Sequence, residues 1–122
     1  IKRANEVNLA MPAYVVKRVI AGSGGSIKGK KVVVVGVSYK SNVADTRETP
    51  AAAVIDLLRE QGAVVTWHDE LVGAWRGETS SPISSSDIAV LVTKHNGLDL
   101  AAVKTCGYVF DCTGTIADAD GI

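Results

Sequence analysis

The sequence KVVVVGV occupies residues 31–37. Its four consecutive valines show no alternation of apolar and polar side chains, which is typical of a strand buried on both faces of a parallel sheet. Strand and helix periods alternate along the residues that follow. The segment therefore predicts the first strand of an α/β domain.

The next element is predicted to be a helix. Thr49 can accept a hydrogen bond from a free backbone N–H at the helix start, and Pro50 suits the first helical position. Gly62 marks the end. The apolar residues between them follow i, i+3, i+4, i+7 spacing: Ala51, Val54, Ile55 and Leu58.

Further elements follow in the same alternation. Three β-rich segments predict strands at residues 63–68, 88–93 and 108–111, and a short helix is expected at 98–105. Serines and Pro82 in residues 69–87 predict a loop there. Right-handed crossovers then give a doubly wound, three-layer, Rossmann-like parallel sheet of about four strands in the order 2-1-3-4, preceded by one helix.

The amino-terminal part predicts a helix over residues 2–20, with Pro12 near its middle. Residues 21–26 read AGSGGS, a composition that favours a flexible linker. We therefore divide the chain into residues 1–20, a linker at 21–27, and a domain at 28–122.

Composition limits the function classes. The 122 residues are 47% apolar and 21% charged, as expected for one globular domain. Residues 1–48 hold nine Lys/Arg and three Asp/Glu, whereas residues 49–122 hold four and ten, so the net charge is zero. Neutrality argues against nucleic-acid or membrane-surface binding, while the basic half suits one compact anion.

Without an apolar run of about 20 residues or a signal peptide, the expected location is the cytoplasm.

Two cysteines, Cys106 and Cys112, are too few for a disulfide framework, so reduced thiols are expected. Neither has metal-site spacing with His68 or His95, and no metal site is predicted. Cys106 is read as a small buried hydrophobic residue. The two tryptophans are expected to pack in the core.

A ligand is expected at the loop of residues 36–48, because ligands of open parallel sheets bind where the strand order reverses. The loop lacks a Gly-x-Gly-x-x-Gly fingerprint, so this domain alone is not expected to bind NAD. Lys40 could meet a phosphate, Tyr39 could stack, and Arg47 could bind a carboxylate or phosphate. The alternatives are a solvated Lys40, a Tyr39 that covers the sheet edge, and a surface ion pair between Asp45 and Arg47. From the residues alone, an anion site is possible and no more.

Residues 29–51, GKKVVVVGVSYKSNVADTRETPA, resemble the opening of the carboxyl-terminal, UDP-binding domain of the UDP-glucose/GDP-mannose dehydrogenase family. The likeness continues through LLREQGAVV at 57–65, HD at 68–69, DIAVLVT at 87–93 and VFD at 109–111. The leading helix is similar to the last helix of the family's central domain, which forms the dimer.

The resemblance implies an NAD-dependent nucleotide-sugar 6-dehydrogenase, which oxidises the sugar C6 alcohol of a UDP-sugar such as UDP-glucose to a carboxylate through a cysteine-bound intermediate. The implied partners are the UDP-sugar, the amino-terminal and central domains, and a second subunit of a homodimer. The implied pathway is polysaccharide biosynthesis. Neither cysteine here matches the catalytic one, so no catalytic residue is assigned and the chain alone is expected to be inactive. NAD would be bound mainly by another domain.

Matched by position, Tyr39 and Lys40 correspond to the pair that touches the nucleotide sugar. Arg47 corresponds to the arginine that reaches across the cleft toward NAD. Asp45 is expected either to orient Arg47 or the loop, or to contact a ligand directly. Together with Gly36 it is assigned a supporting role.

Two departures leave other functions open. Many relatives carry an arginine shortly after the aspartate that ends the fourth strand, whereas Asp111 is followed here by Cys112, Thr113 and Gly114. The connection before Ile88 also looks abbreviated, because residues 80–86 stand where many relatives have a more helical segment. The alternative function is an interaction module whose nucleotide site has decayed. An unrelated receiver-like domain would need acidic residues after the first strand, where Gly36 and Val37 stand.

Overall fold

A computed structural model describes residues 2–47, 49–83, 86–116 and 119–121, with side chains in the first helix described from Met11 onward. Its helices and strands, in chain order, are α1 (Lys2–Gly22), β1 (Lys31–Val35), α2 (Pro50–Glu60), β2 (Val64–His68), β3 (Ala74–Trp75), β4 (Glu78–Thr79), β5 (Ile88–Leu91), α3 (Leu100–Lys104), β6 (Tyr108–Asp111) and β7 (Asp120–Gly121).

The main sheet has five strands in the order β2-β1-β5-β6-β7, and all of its pairings are parallel. In the central register, Val33 of β1 stands between Thr66 of β2 and Ala89 of β5. The first four strands confirm the predicted order, and β7 adds a fifth strand beside β6. The prediction missed β7 because two residues carry no readable periodicity.

Helices cover both faces of the sheet, which confirms the three-layer arrangement. Alternate valines of β1 point to opposite faces. Val32 and Val34 pack with α1 and α2, whereas Val33 and Val35 pack with α3. The continuous valine run is therefore explained by burial on both faces.

Helix α2 begins as the sequence predicts. The Thr49 hydroxyl accepts a hydrogen bond from the backbone N–H of Ala51 at 3.2 Å, and Pro50 occupies the first position. The four residues of the predicted apolar stripe are all buried: Ala51, Val54, Ile55 and Leu58. The helix therefore holds one whole face against the sheet.

Helix α1 continues two residues beyond its predicted end at residue 20, and Pro12 lies inside it. Its residues Val15, Val16 and Val19 are buried in the same core as the sheet. Within the predicted linker, Gly24 and Gly25 have positive φ, and Ile27 is 1% exposed. The division of the chain into three parts stays a prediction.

Residues 69–87 contain a hairpin, β3 and β4, which corrects the prediction of an unstructured loop. Arg76 and Gly77 both have positive φ between its strands, as a tight primed turn requires. Arg–Gly is not among the usual turn pairs, and each strand has only two residues, so little in the sequence indicates the hairpin. Edge-to-face packing of Trp75 on buried Trp67, at 5.7 Å between ring centroids, docks the hairpin. Ion pairs Arg59–Glu78 and Arg76–Asp56 connect it to α2.

Both cysteines are free thiols. Cys106 is 7% exposed and packs with the α3 side of the core, as expected. Among the described residues, no helix is both long and apolar enough to span a membrane.

Candidate functional site

Three loops meet at the carboxyl edge of the sheet: those after β1, β2 and β5. The order β2-β1-β5 places the reversal of strand order between β1 and β5. A crevice of this kind is where open α/β sheets bind ligands. The residues that follow these three strands therefore form the candidate site.

Gly36 allows the β1 loop to pass directly against the β5 loop. Its φ is 88°, and a Cβ atom at this position would overlap the backbone carbonyl of Thr93. Its N–H donates to the carbonyl of His68 at 2.8 Å. Only glycine combines this φ with this close approach.

Asp69, directly after β2, is the buried anchor of the β1 loop. Its carboxylate is 1% exposed and accepts the backbone N–H groups of Val37 at 2.9 Å and Ser38 at 3.3 Å. It also accepts those of Leu71 and Val72 at 2.8 and 3.1 Å. Four backbone donors therefore converge on one carboxylate.

The hydrogen bonds determine the ionisation of Asp69. Burial raises the pKa of this carboxyl. Hydrogen bonds from Val37, Leu71 and His95 outweigh burial and lower the pKa below its ordinary value of 3.8. Asp69 is therefore a carboxylate at neutral pH.

His95, in the loop after β5, is 2% exposed and contacts Asp69. Its Nε2 lies 3.0 Å from each carboxylate oxygen, and its Nδ1 accepts the backbone N–H of Asn42 at 2.7 Å. Because Nδ1 accepts a hydrogen bond, the ring hydrogen is assigned to Nε2, which donates to Asp69. His95 thus connects the β2 loop to the β1 loop.

Ser38 adds a second set of contacts inside the same loops. Its hydroxyl donates to the carbonyl of Lys40 at 2.9 Å. Its own carbonyl accepts hydrogen bonds from the hydroxyls of Thr49 and Thr93, each at 3.2 Å. The backbone on the amino-terminal side of the Tyr39–Lys40 pair is therefore fixed.

The side chains of Tyr39 and Lys40 are exposed on this fixed loop, Tyr39 by 54%. Neither makes a side-chain hydrogen bond or ion pair within the part of the chain that the structure describes. The backbone N–H of Tyr39 donates to the carbonyl of Asp45, which closes the loop. Both side chains are therefore available to a ligand at the crevice.

Asp45 and Arg47 form an ion pair at 2.7 Å. The carboxylate also accepts the backbone N–H of Arg47 at 2.9 Å. The Arg47 side chain lowers the pKa of Asp45 to about 2, chiefly through its hydrogen bonds. The Arg47 side chain remains 88% exposed within this pair. The roles of the two residues in binding stay predictions.

The β6 loop lies where the resemblance leads one to expect an arginine. Asp111 is 2% exposed there and accepts the N–H and hydroxyl of Thr113 at 2.7 and 2.6 Å, and the N–H of Ile116 at 2.7 Å. Burial raises the pKa of Asp111, but these bonds lower it overall. An open cavity of about 450 Å³ adjoins this loop, with Cys112, Gly114 and Gly121 among its walls.

One group of side chains has the composition of a metal site. Ligand atoms of Asp69, Glu70 and His95 lie within 4.8 Å of one another. However, both Asp69 oxygens accept backbone N–H groups, and the His95 Nδ1 accepts the N–H of Asn42. A cation would have to displace these bonds, so the group fits a hydrogen-bonded network better than a metal centre.

The structure brings Gly36, Tyr39, Lys40, Asp45 and Arg47 onto one loop, as the sequence requires. It also adds Asp69 and His95, to which the sequence analysis gave no site role. Both residues come shortly after strands that flank β1. The carboxyl ends of neighbouring parallel strands meet at one sheet edge, so the places of Asp69 and His95 after these strands could have indicated a role in the site.

Comparison with known proteins identifies close relatives of the sequence. Residues 33–118 match the UDP-binding domain of the UDP-glucose/GDP-mannose dehydrogenase family. The chain is 39% identical over 100 residues to UDP-N-acetyl-D-mannosamine dehydrogenase of Methanococcus vannielii, covering 79% of this chain and 23% of that protein. It is 45% identical over 53 residues to UDP-glucose 6-dehydrogenase of Rhizobium meliloti, covering 43% of this chain and 12% of that protein. The chain thus spans about a quarter or less of these relatives.

Solved structures share the fold. The UDP-N-acetyl-mannosamine dehydrogenase Cap5O from S. aureus superposes with a TM-score of 0.67 at 26% identity, over 96% of this chain and 29% of that chain. UDP-D-ManNAc dehydrogenase from Pyrococcus horikoshii superposes with a TM-score of 0.74 at 22% identity, over 98% of this chain and 32% of that chain. The second likeness bears on the fold alone.

Proposed function

The chain belongs to the UDP-glucose/GDP-mannose dehydrogenase family, and we propose from this premise that it supplies the UDP-sugar half of the active-site cleft of a nucleotide-sugar 6-dehydrogenase. One observation carries the proposal. Tyr39 and Lys40 stand exposed and unpartnered, within the described residues, on a loop anchored at the reversal of strand order. The ammonium of Lys40 offers a point charge to a phosphate, and the Tyr39 ring offers a face to stack on or a hydroxyl to donate.

Arg47 is proposed to reach the cofactor side of the cleft. Its guanidinium is exposed and is oriented by two hydrogen-bonding oxygens of Asp45. A guanidinium held in one plane suits bidentate contact with a phosphate or carboxylate. Asp45 is then an orienting residue, and Gly36 a supporting residue that lets the loop approach the neighbouring strand.

The reaction proposed for the whole protein is oxidation of the sugar C6 alcohol to a carboxylate. NAD, held mainly by a domain outside this chain, would accept the hydrides. This chain's own task is to bind and orient the UDP-sugar. Burial raises the pKa of the Cys106 thiol, and that of Cys112 to about 12, so neither is suited to act as the nucleophile. No catalytic residue is assigned here.

The identity of the sugar and the assembly are part of the same proposal. The relatives act, by name, on UDP-N-acetyl-D-mannosamine or UDP-glucose, and the former match more of this chain. Both compounds are therefore candidate substrates. A homodimer of the whole protein, a cytoplasmic location and a role in polysaccharide biosynthesis complete the proposal.

Thermal unfolding of the chain with and without UDP, UDP-glucose and UDP-N-acetyl-D-mannosamine tests the proposal. A ligand at 100 times its Kd adds about 2.7 kcal/mol to the free energy of unfolding, which moves the midpoint by several degrees in a domain this small. Lys40→Ala is expected to remove the shift. Lys28→Ala is the matched control, because Lys28 is an exposed lysine before β1, at the opposite edge of the sheet.

A second candidate is an interaction module with a decayed nucleotide site. The observation in its favour is Thr113, which stands close to the position where the family resemblance implies an arginine in many relatives and whose hydroxyl donates to Asp111. This candidate predicts no shift with millimolar UDP in the wild-type chain and none in a longer protein that includes the partner domains.

A further inference from the structure

We propose that His95 is a positioning residue for the turn of residues 38–42, which carries Tyr39 and Lys40 and is called the Tyr39–Lys40 turn below. The inference rests on the proposed UDP-sugar function. The His95 ring accepts the backbone N–H of Asn42 and donates to the buried Asp69 carboxylate, so it connects the turn to that carboxylate. The connected residues Asp69, His95 and Asn42 are called the His95 network below.

Asp69 holds the turn at both ends. It accepts the backbone N–H groups of Val37 and Ser38 directly, before the Tyr39–Lys40 pair. After the pair, it holds the N–H of Asn42 through the His95 ring. One buried carboxylate therefore fixes the backbone on either side of the two residues assigned to the ligand.

Asn42 has a left-handed backbone conformation that two hydrogen bonds hold in place. Its φ is 64°, a left-handed conformation that asparagine tolerates better than most non-glycine residues and that its hydrogen bonds can stabilise. The stabilising bonds are at both ends of the residue: its N–H binds His95, and its side-chain oxygen accepts the N–H of Asn96 at 2.9 Å. The β5 loop therefore stabilises the conformation of the residue two positions after Lys40.

The contacts of His95 lie apart from the hydrophobic core that stabilises the fold. The hydrophobic core lies on the two faces of the sheet, and the His95 network contributes polar contacts at its carboxyl edge. Ordering a turn before the ligand arrives removes that entropy cost from binding. His95 contacts no ligand in this scheme; it acts through the backbone of the turn.

His95 Nε2 also lies 3.2 Å from the Ser38 hydroxyl. Two substitutions separate the bond of Nδ1 to Asn42 from the contacts of Nε2. His95→Gln keeps an N–H donor for Asp69 but places no acceptor near the Asn42 N–H. His95→Asn keeps an acceptor at the position of Nδ1 but loses the donor to Asp69. We expect UDP to bind His95→Gln about tenfold more weakly than wild type, as measured by calorimetric titration of the chain. We expect His95→Asn to bind about threefold more weakly, because it keeps the bond to Asn42 but loses the connection of that bond to Asp69. A structural role alone would instead make both affinities follow the stability of each variant.

The experiment includes one control variant and one independent readout. Tyr108→Phe removes one hydrogen bond, to Asp120 at 2.7 Å, from the opposite edge of the sheet and is expected to bind UDP as wild type does. Amide hydrogen exchange at Asn42 should accelerate in His95→Gln, and to a smaller extent in His95→Asn. Should His95→Gln fold poorly, Asn42→Ala opens the same turn from an exposed residue and should weaken UDP binding to a similar extent.

The outcomes distinguish this inference from the proposed function. If neither the wild-type chain nor a longer protein that includes the partner domains binds UDP, the proposed function is overturned, and the inference falls with it. If wild type binds UDP and Lys40→Ala does not, but His95→Gln binds as wild type does, the proposed function stands and the positioning role of His95 is wrong. Unchanged exchange at Asn42 in His95→Gln would also overturn the positioning role, whatever the result with UDP.

Discussion

The buried carboxylate of Asp69 accepts the backbone N–H of Val37 at 2.9 Å. This bond joins the residue after β2 to the loop after β1, across 32 positions of sequence. Asp69 is therefore the residue on which the geometry of the candidate site depends most directly.

Replacing Asp69 by Asn should lower the free energy of unfolding by about 1–3 kcal/mol, because the amide would point a donor at buried N–H groups and leave some of them unsatisfied. Urea denaturation measures the change. The control is Asp56→Asn, which alters an exposed ion pair with Arg76 and should have a much smaller effect. Equal losses in the two variants would contradict the assigned role of Asp69.

Lowering the pH should destabilise the protein by protonating the buried Asp111 carboxylate. Since its pKa is lower in the folded chain than the ordinary value of 3.8, its stabilising contribution is complete above that value. The contribution is lost as pH falls through the lower folded value. Urea denaturation between pH 5.5 and pH 3 should therefore show a smaller fall in stability for Asp111→Asn than for wild type; identical slopes would refute the prediction.

Gly36→Ala should be more destabilising than the cost of about 1–2 kcal/mol for placing an ordinary residue in a left-handed conformation. The added Cβ would also overlap the Thr93 carbonyl. Gly24→Ala is the matched control, since Gly24 has a φ of 91° and open space around its Cβ position. Thermal unfolding of both variants isolates the overlap, and a Gly36→Ala midpoint no lower than that of Gly24→Ala would argue against it.

The thiol of Cys112 should react slowly with iodoacetamide at pH 8. Burial, with the nearby Asp111 charge, raises its pKa from 9.0 to about 12, which lowers the thiolate fraction about a thousandfold. Mass spectrometry of the alkylated peptide, native against urea-unfolded, gives the rates. Cys106→Ser leaves Cys112 as the single thiol for this measurement. Native and unfolded rates that agree within a fewfold would show that the thiol is not protected.

Local features of the sequence predicted most of the fold. Four valines gave β1, the Thr49–Pro50 cap and the apolar stripe gave α2, and alternation of the two periods gave the parallel sheet. The hairpin at Arg76–Gly77 and strand β7 were not predicted from the sequence. Strands of two residues are stabilised by the surfaces on which they dock, and not by a local sequence pattern. For the hairpin, that surface is Trp67 and α2.

The candidate site divides in the same way. By itself the sequence determined which residues follow β1, and hence the candidates Tyr39, Lys40 and Arg47, because a loop directly after a predicted strand needs no distant contact to be recognised. Only the tertiary structure decided that Asp69 and His95 support that loop. Their bonds span 26 positions between His95 and Asp69 and 53 between His95 and Asn42, and they exist only once three parallel strands have brought their carboxyl ends to one edge.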